Sequence, residues 1–358
     1  MNYNDYRRKS KPVKVGSLVI GGQAPVTIQS MTNTDTSNFE ATLAQVRALR
    51  AAGCELVRIS VPKIEQAAVI ARLKEADVGL PIVADIHYDY KIALACVDAG
   101  VDKIRINPGN IGASDRIKAV ARACALHGVP IRIGVNGGSL ESAVLAKYGR
   151  PCAEALAESA LYHAALLEQQ DFDDIIISIK SSDVKTMIDA NRILAEKCAY
   201  PLHLGVTEAG GAHMGTLKNA AGIGALLAEG MGDTIRISLT ADPCQEVIEG
   251  KNLLKALGLW QRPYVNLTSC PTCARTRVDI IRIVHELEQR IEKECHPSRP
   301  VHAAVMGCAV NGPGEAREAD VGIAAGDGEG LLFKNGEKVR KIPEEQMINV
   351  LIEEINQF

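Results

Sequence analysis

Aromatic side chains are scarce in this sequence, at 4% of 358 residues, with one tryptophan and four phenylalanines. Neither sign of charge dominates: 40 Lys and Arg stand against 43 Asp and Glu, a formal charge of −3. A nucleic-acid platform wants net positive charge and stacking rings, so both scarcities argue against one. Long apolar runs are missing too. No stretch of about 18 apolar residues is there to span a membrane, and none follows Arg7-Arg8 as an export signal requires. The expected location is the cytoplasm. What is present is ordinary globular composition, 47% hydrophobic and 23% charged. The length suits about two domains, each with its own core.

Ten cysteines in such a chain do not read as a disulfide framework. Cys54, Cys96, Cys124, Cys152, Cys198, Cys244 and Cys295 are scattered singly, mostly within helix- or strand-like patterns. They read as small buried hydrophobes. Cys270, Cys273 and Cys308 sit instead in Pro- and Gly-containing punctuation and need another explanation.

Up to residue 260 the sequence keeps a rhythm. Short β-branched runs begin near Val26, Cys54, Pro81, Lys103, Pro130, Asp174, Leu202 and Asp233, at spacings of 28, 27, 22, 27, 44, 28 and 31 residues. Each gap holds a helix-like segment. In the first, Leu43, Val46 and Leu49 share a face, and Ser37-Asn38-Phe39-Glu40 reads as a capping box. Asp242-Pro243 supplies a cap and a first-turn proline to the last, near Cys244–Leu257. Eight such units predict an α/β fold, an N-terminal (β/α)8 TIM-type barrel over residues 1–260. An open doubly wound sheet is the alternative, weakened by the lack of a dinucleotide fingerprint. The 44-residue gap marks an insertion, Gly137–Pro151, readable as a loop over the mouth or as a spacer. Residues 261–358 predict a small α+β domain: a strand-like YVNLTS, a Cys turn opening a helix at about Arg277–Lys293, and short strands. The strands centre on Val301–Val305, Val321–Ala324, Gly330–Lys334 and Glu337–Lys341, with an Asn335-Gly336 hairpin turn and a final helix at Glu344–Asn356.

Five barrel strands carry a basic residue with a polar one two or four positions away: Arg58 with Ser60, Arg105 with Asn107, Arg132 with Asn136, Lys180 with Ser178, and Arg236 with Ser238. Such residues share one strand face, and inward positions near the C-terminal strand ends line a barrel's active-site mouth. Asp85 and His87 obey the same parity. One arginine alone reads as a strand-end salt bridge. Four arginines and a lysine need matching anions, yet the nearby carboxylates are few, Asp85 and Glu208 at a loop edge. An anionic ligand explains them better, and guanidinium forks favour phosphate. The Glu208-Ala209-Gly210-Gly211 loop fits a phosphate-binding turn before a helix.

Cys270-Pro271-Thr272-Cys273 alone would suit a redox dithiol. Cys308, 35 residues beyond Cys273, heads Cys-Ala-Val-Asn-Gly-Pro-Gly-Glu315, and a dithiol needs no third cysteine. Zinc accepts thiolates and a carboxylate. An iron–sulfur cluster takes thiolates, and Glu315, swung back by a Gly-Pro-Gly turn, could give one iron a hard, exchangeable ligand. Spacing leaves all three open.

Together these motifs resemble the 4-hydroxy-3-methylbut-2-enyl diphosphate synthase family, iron–sulfur reductases of the methylerythritol phosphate route to isoprenoids. The segments SMTNTDT, VRISVP, ADIHYDY, KIRINPGN, IRIGVNGGSL, SIKSSD, LGVTEAG and RISLT look like the family's as well. The resemblance implies a [4Fe–4S] cluster on Cys270, Cys273, Cys308 and Glu315. It implies 2-C-methyl-D-erythritol 2,4-cyclodiphosphate as substrate, flavodoxin or ferredoxin as electron donor, and a homodimer with sites shared between chains. On that reading Arg58, Arg105, Asn107, Arg132, Asn136, Lys180, Arg236 and Ser238 bind the diphosphate, and Glu208 is the candidate proton donor. Two other classes compete: a non-redox barrel enzyme with a structural zinc, and an iron–sulfur carrier or sensor. A carrier needs no basic mouth.

Overall fold

The strand–helix rhythm folds as eight parallel strands in the computed structural model, which describes residues 3–112 and 114–358. The chain divides into two units, Met1–Leu259 and Trp260–Phe358. An antiparallel hairpin, β1 (Val13–Val15) and β2 (Leu18–Ile20), precedes the barrel. The barrel strands are β3 (Thr27–Met31), β4 (Leu56–Ser60), β5 (Ile82–Asp85), β6 (Lys103–Ile106), β7 (Ile131–Asn136), β8 (Ile175–Lys180), β9 (His203–Leu204) and β10 (Thr234–Ile235). They lie in the order β8-β7-β6-β5-β4-β3-β10-β9. A parallel bridge between Ile177 and Leu202 joins the two ends of that order. The barrel closes, and the open sheet does not form.

Parity sorts the side chains. Ile28 lies beside Gly250, and Ser30 donates to Glu246 at 3.0 Å, both on the outer helix Pro243–Ala256. Thr27, Gln29 and Met31 therefore face inward. At the N-terminal end, inward-facing Leu56, Val83 and Ile176 pack against Val13, Val15 and Ile20, so the hairpin plugs the barrel. The outer helices are amphipathic for the usual reason: Phe39–Ala52 buries Thr42, Leu43, Val46 and Leu49 at helical spacing. Its cap differs from expectation. Asn38, not Ser37, takes the Ala41 N–H at 3.1 Å. Ser37 belongs to the preceding turn, where its N–H goes to the Asp35 carboxylate, and its hydroxyl accepts from Gln66. The Asp242 cap and Pro243 first turn stand as expected. The insertion forms a short 3-10 turn, Gly137–Ser139, and a helix, Ser142–Tyr148. It is tied to the helix Ala153–Glu168: Ser159 donates to Glu141 at 3.2 Å, and Tyr148 to Glu158 at 2.8 Å.

The second unit holds one sheet of five strands, β11 (Val265–Ser269), β12 (Val301–Met306), β13 (Val321–Ala325), β14 (Glu329–Lys334) and β15 (Glu337–Pro343), in that order. The first three are parallel and the last two antiparallel. Ile283 and Leu287 of the helix Ile280–Glu294 and Leu351 and Ile355 of the helix Met347–Ile355 pack on Val305, Val321 and Ile323. Asn335 and Gly336 both have positive φ, 51° and 83°, the geometry a two-residue hairpin wants. Among the described residues no helix is long and apolar enough to cross a membrane.

Candidate active site

The C-terminal strand ends bring the basic residues to one place. Arg58, Arg105, Arg132, Asn136, Lys180, Arg236 and Ser238 line a cavity of about 140 Å³, together with Ser178 and Thr207. No carboxylate is among its lining residues. Buried Asp85 stands behind, its carboxylate 2.6 Å from Arg58 Nη2 and 3.2 Å from Arg105 Nη1. Burial alone would raise the Asp85 carboxyl, but the Arg58 and Arg105 charges hold it well below the usual carboxylate range. His87 Nε2 lies 3.7 Å from the same carboxylate.

Beyond Asp85 and Glu208, a third carboxylate at the mouth was not legible in the sequence. Glu246, on the helix Pro243–Ala256, reaches between strands to Arg236, with Nε and Nη2 both at 3.2 Å. It is itself held by Ser30 and by the Leu239 N–H. Two-residue parity cannot reveal a side chain arriving from an outer helix. Lys103 and His203 were also passed over, although Lys103 shares its parity with Arg105 and Asn107. Both are fully buried.

Arg132 is 1% exposed, and its Nε and Nη1 have no hydrogen-bond partner. Burial first, then the Arg58 and Arg105 charges, push its guanidinium well down. Lys180 is pushed well down by burial and then by Arg236 and Arg132. The mouth thus concentrates cations that burial and mutual repulsion disfavour, the condition an anion relieves. Two glycines make the arrangement possible. A Cβ at Gly134 would fall 2.3 Å from Arg105 Nε, and one at Gly205 would fall 2.7 Å from Lys180 Nζ.

Asn107 is buried just past β6 and is not among the lining residues. Glu208 is exposed, one residue past the lining Thr207. Its φ of 52° is a left-handed backbone that a glutamate rarely adopts. The Gly210-Gly211 turn leads into the helix Ala212–Ala228, and Gly210 C=O accepts the Thr240 N–H at 2.9 Å.

In the second unit parallel pairing does the gathering. Ser269 on β11 pairs with Val305 on β12, so the loops that follow start side by side. Gly307 N–H donates to Cys270 Sγ at 3.1 Å, although the two are 37 residues apart. The Cys270–Cys273 segment does not open a helix, contrary to expectation. Arg277 N–H goes to Gly307 C=O at 2.8 Å, and the helix begins at Ile280 behind an Asp279 cap. Gly312-Pro313-Gly314 is likewise not a free turn. It opens the helix Gly312–Glu318, because proline's fixed φ suits a first helical turn. Exposed Glu315 is in that first turn.

The thiols divide into two kinds. Burial pushes Cys96 and Cys124 up to about 12 and Cys54 up to about 11, as inert core thiols. Cys308 is instead lowered by the N–H groups of Asn311 and Val310, and Cys273 by that of Arg275. Among the described residues no three His, Cys, Asp or Glu side chains converge as a formed metal site. The donors nevertheless suit a thiolate-bound group: three cysteines on adjoining loops, each sulfur facing main-chain N–H groups.

Comparison with known proteins agrees with both units. The GcpE TIM-barrel domain matches residues 10–251 and the GcpE protein C-terminal domain residues 266–357. The 4-hydroxy-3-methylbut-2-en-1-yl diphosphate synthase (flavodoxin) of Ruminiclostridium cellulolyticum is 52% identical over 98% of this chain and 98% of its own. The protein of the same name from Geobacillus kaustophilus is 53% identical over 99% of this chain and 93% of its own. Among solved structures, N-acetylneuraminic acid synthetase of Leptospira borgpetersenii superposes with a TM-score of 0.51 at 13% identity, over 78% of this chain and 96% of that one. A truncated 3-deoxy-D-arabino-heptulosonate 7-phosphate synthase of Thermotoga maritima gives 0.50 at 15%, over 70% and 94%. Those two speak to the barrel fold alone. With both domain models matched and full-length relatives at such identity, the chain belongs to the GcpE family, that of the 4-hydroxy-3-methylbut-2-en-1-yl diphosphate synthases.

Proposed function

We propose that this chain is the oxidoreductase that converts 2-C-methyl-D-erythritol 2,4-cyclodiphosphate to (E)-4-hydroxy-3-methylbut-2-enyl diphosphate in isoprenoid synthesis. The observation that carries the reading is the mouth cavity, lined by four arginines and a lysine and by no carboxylate. A cyclic diphosphate supplies the absent negative charge. Arg132 and Lys180 meet it directly. Asp85 and Glu246 hold Arg58, Arg105 and Arg236 in place beforehand, so little reorganisation is left for binding. Asn136 and Ser238 offer neutral hydrogen bonds to the remaining oxygens, whereas Asn107, buried behind the lining, is left out of direct contact.

Opening the ring and releasing the C3 oxygen as water consume two electrons and two protons. Glu208, beside the cavity on its strained turn, donates a proton to the departing oxygen. A [4Fe–4S] cluster, one per chain, would when bound supply electrons singly and a Lewis-acidic iron. Cys270, Cys273, Cys308 and Glu315 would hold it. The thiols are supported by their N–H surroundings, and Glu315 by the family resemblance. Flavodoxin, named for the relatives, is the proposed donor, with ferredoxin as the one-electron alternative, and the location is the cytoplasm.

Neither unit carries both the cavity and the thiols, and the family resemblance favours completing the site across a two-fold homodimer. Mixing Arg132→Ala with Cys308→Ala chains should then restore about a quarter of wild-type activity. Random exchange makes about half the dimers mixed, each with one intact site. No recovery after exchange verified by mass spectrometry would rule this out. The reaction itself is tested by anaerobic turnover of the cyclodiphosphate with a strong reductant and identification of the product. Iron-loaded protein that leaves the substrate intact would reject the proposed function.

A further inference from the structure

Below the cavity lies the layer where barrels normally pack branched aliphatic side chains. Here it contains Lys103 on β6 and His203 on β9, neither with any exposed surface. Lys103 Nζ and both ring nitrogens of His203 have no hydrogen-bond partner. Thr234 pairs in register with His203 on one side and Thr27 on the other, and its hydroxyl, that of Thr27 and the Gln29 amide are buried without partners as well. The charged groups bearing on Lys103 are Arg132 and Arg58, and those bearing on His203 are Arg132, Lys180, Lys103 and Arg58, cations all. Asp85 and Glu246, the buried carboxylates of this end, are engaged by Arg58, Arg105 and Arg236, and Glu208 is exposed at the rim. Burial first, then Arg132, push the Lys103 ammonium well down, and burial with Arg132 and Lys180 does the same to His203.

We propose that Lys103 and His203 form a buried proton-uptake layer coupled to the mouth, neutral without an anion and protonated when the cyclic diphosphate sits above them. This rests on the anion-binding reading of the same cavity. The proton passes from solvent to a lone pair of Lys103 Nζ or a His203 ring nitrogen, and no bond of the ligand changes. Two negative charges placed over a low-dielectric interior act strongly on groups that water does not screen. By linkage, a site that takes up a proton on binding loses affinity as pH rises, about tenfold per pH unit for one proton.

The cyclodiphosphate is a clean probe, because each phosphorus carries a single strongly acidic hydroxyl and does not titrate near neutrality. The experiment is calorimetric titration of the oxidised holoenzyme with it, without reductant, in buffers of different ionisation enthalpy from pH 7 to 9. The expected result is uptake of about one proton or more per site, with affinity falling as pH rises. Lys103→Met and His203→Asn should each reduce the uptake. Binding by the wild type without net proton exchange would overturn the inference while leaving the mouth reading intact. Uptake undiminished in both variants would overturn it too, placing the proton elsewhere at the mouth. No binding at all would overturn the mouth reading itself. Should Lys103→Met fail to fold, the wild-type measurement and His203→Asn still decide.

Discussion

At the barrel mouth the charged side chains stand on strands and are braced by buried carboxylates. The three cysteines of the second unit stand on loops and are met by main-chain N–H groups. Asp85 alone fixes two arginines, so the mouth is set before any ligand arrives. Around Cys270 and Cys308 the fixed parts are backbone, Gly307 above all, which under the proposed function would leave the sulfurs to settle around a cluster. A site for a small anion gains from rigidity. A site that must accept an assembled group needs some give.

The largest effect should separate the two regions outright. Cys308→Ala should abolish turnover and lower bound iron, read by iron analysis and visible absorption. Calorimetric affinity for the cyclodiphosphate should stay within about twofold if the mouth is preset, and a large loss of affinity would show that it is not. Glu315→Cys should keep the iron but cut turnover by at least about tenfold, because a thiolate is softer and less readily displaced from iron. Near-normal activity at full loading would remove Glu315 from the ligand set. Arg132→Met should weaken binding by roughly 10- to 150-fold, the equivalent of about 1.5–3 kcal/mol for a charge-assisted hydrogen bond. Fold and iron content should be unchanged, and an unchanged affinity would make Arg132 structural. The smallest effect tests the bracing. Gly134→Ala places a Cβ against Arg105 Nε and should lower the denaturation midpoint by the equivalent of about 1–3 kcal/mol. A midpoint equal to wild type would mean that Arg105 yields freely.

Much of the barrel was legible because its signals are periodic. Spacing gave eight units, and parity placed Arg58, Arg105, Arg132, Lys180 and Arg236 on one inward surface. Glu246 escaped because it reaches Arg236 from an outer helix, a relation that no strand period encodes. Lys103 obeyed the parity, but a lysine at the start of a strand looks like a solvated end until a closed barrel buries it. In the second unit, proline and glycine misled in both directions. The Cys270–Cys273 turn suggested a helix start where the long-range Arg277–Gly307 bond holds the chain instead, and Gly312-Pro313-Gly314 suggested a turn where a helix begins. Local punctuation says that the chain changes course, and tertiary hydrogen bonds decide how.

The buried layer of Lys103, His203, Thr234 and Gln29, with the hairpin packed on Leu56, Val83 and Ile176 beneath, leaves the mouth cavity open at one end alone. Whatever enters the mouth has to leave by the same doorway. Arrival and departure cannot overlap, and under the proposed function a departing diphosphate would leave against the same arginines that drew its precursor in. Traffic at such a mouth would be single-file, and the grip that favours capture would also slow release.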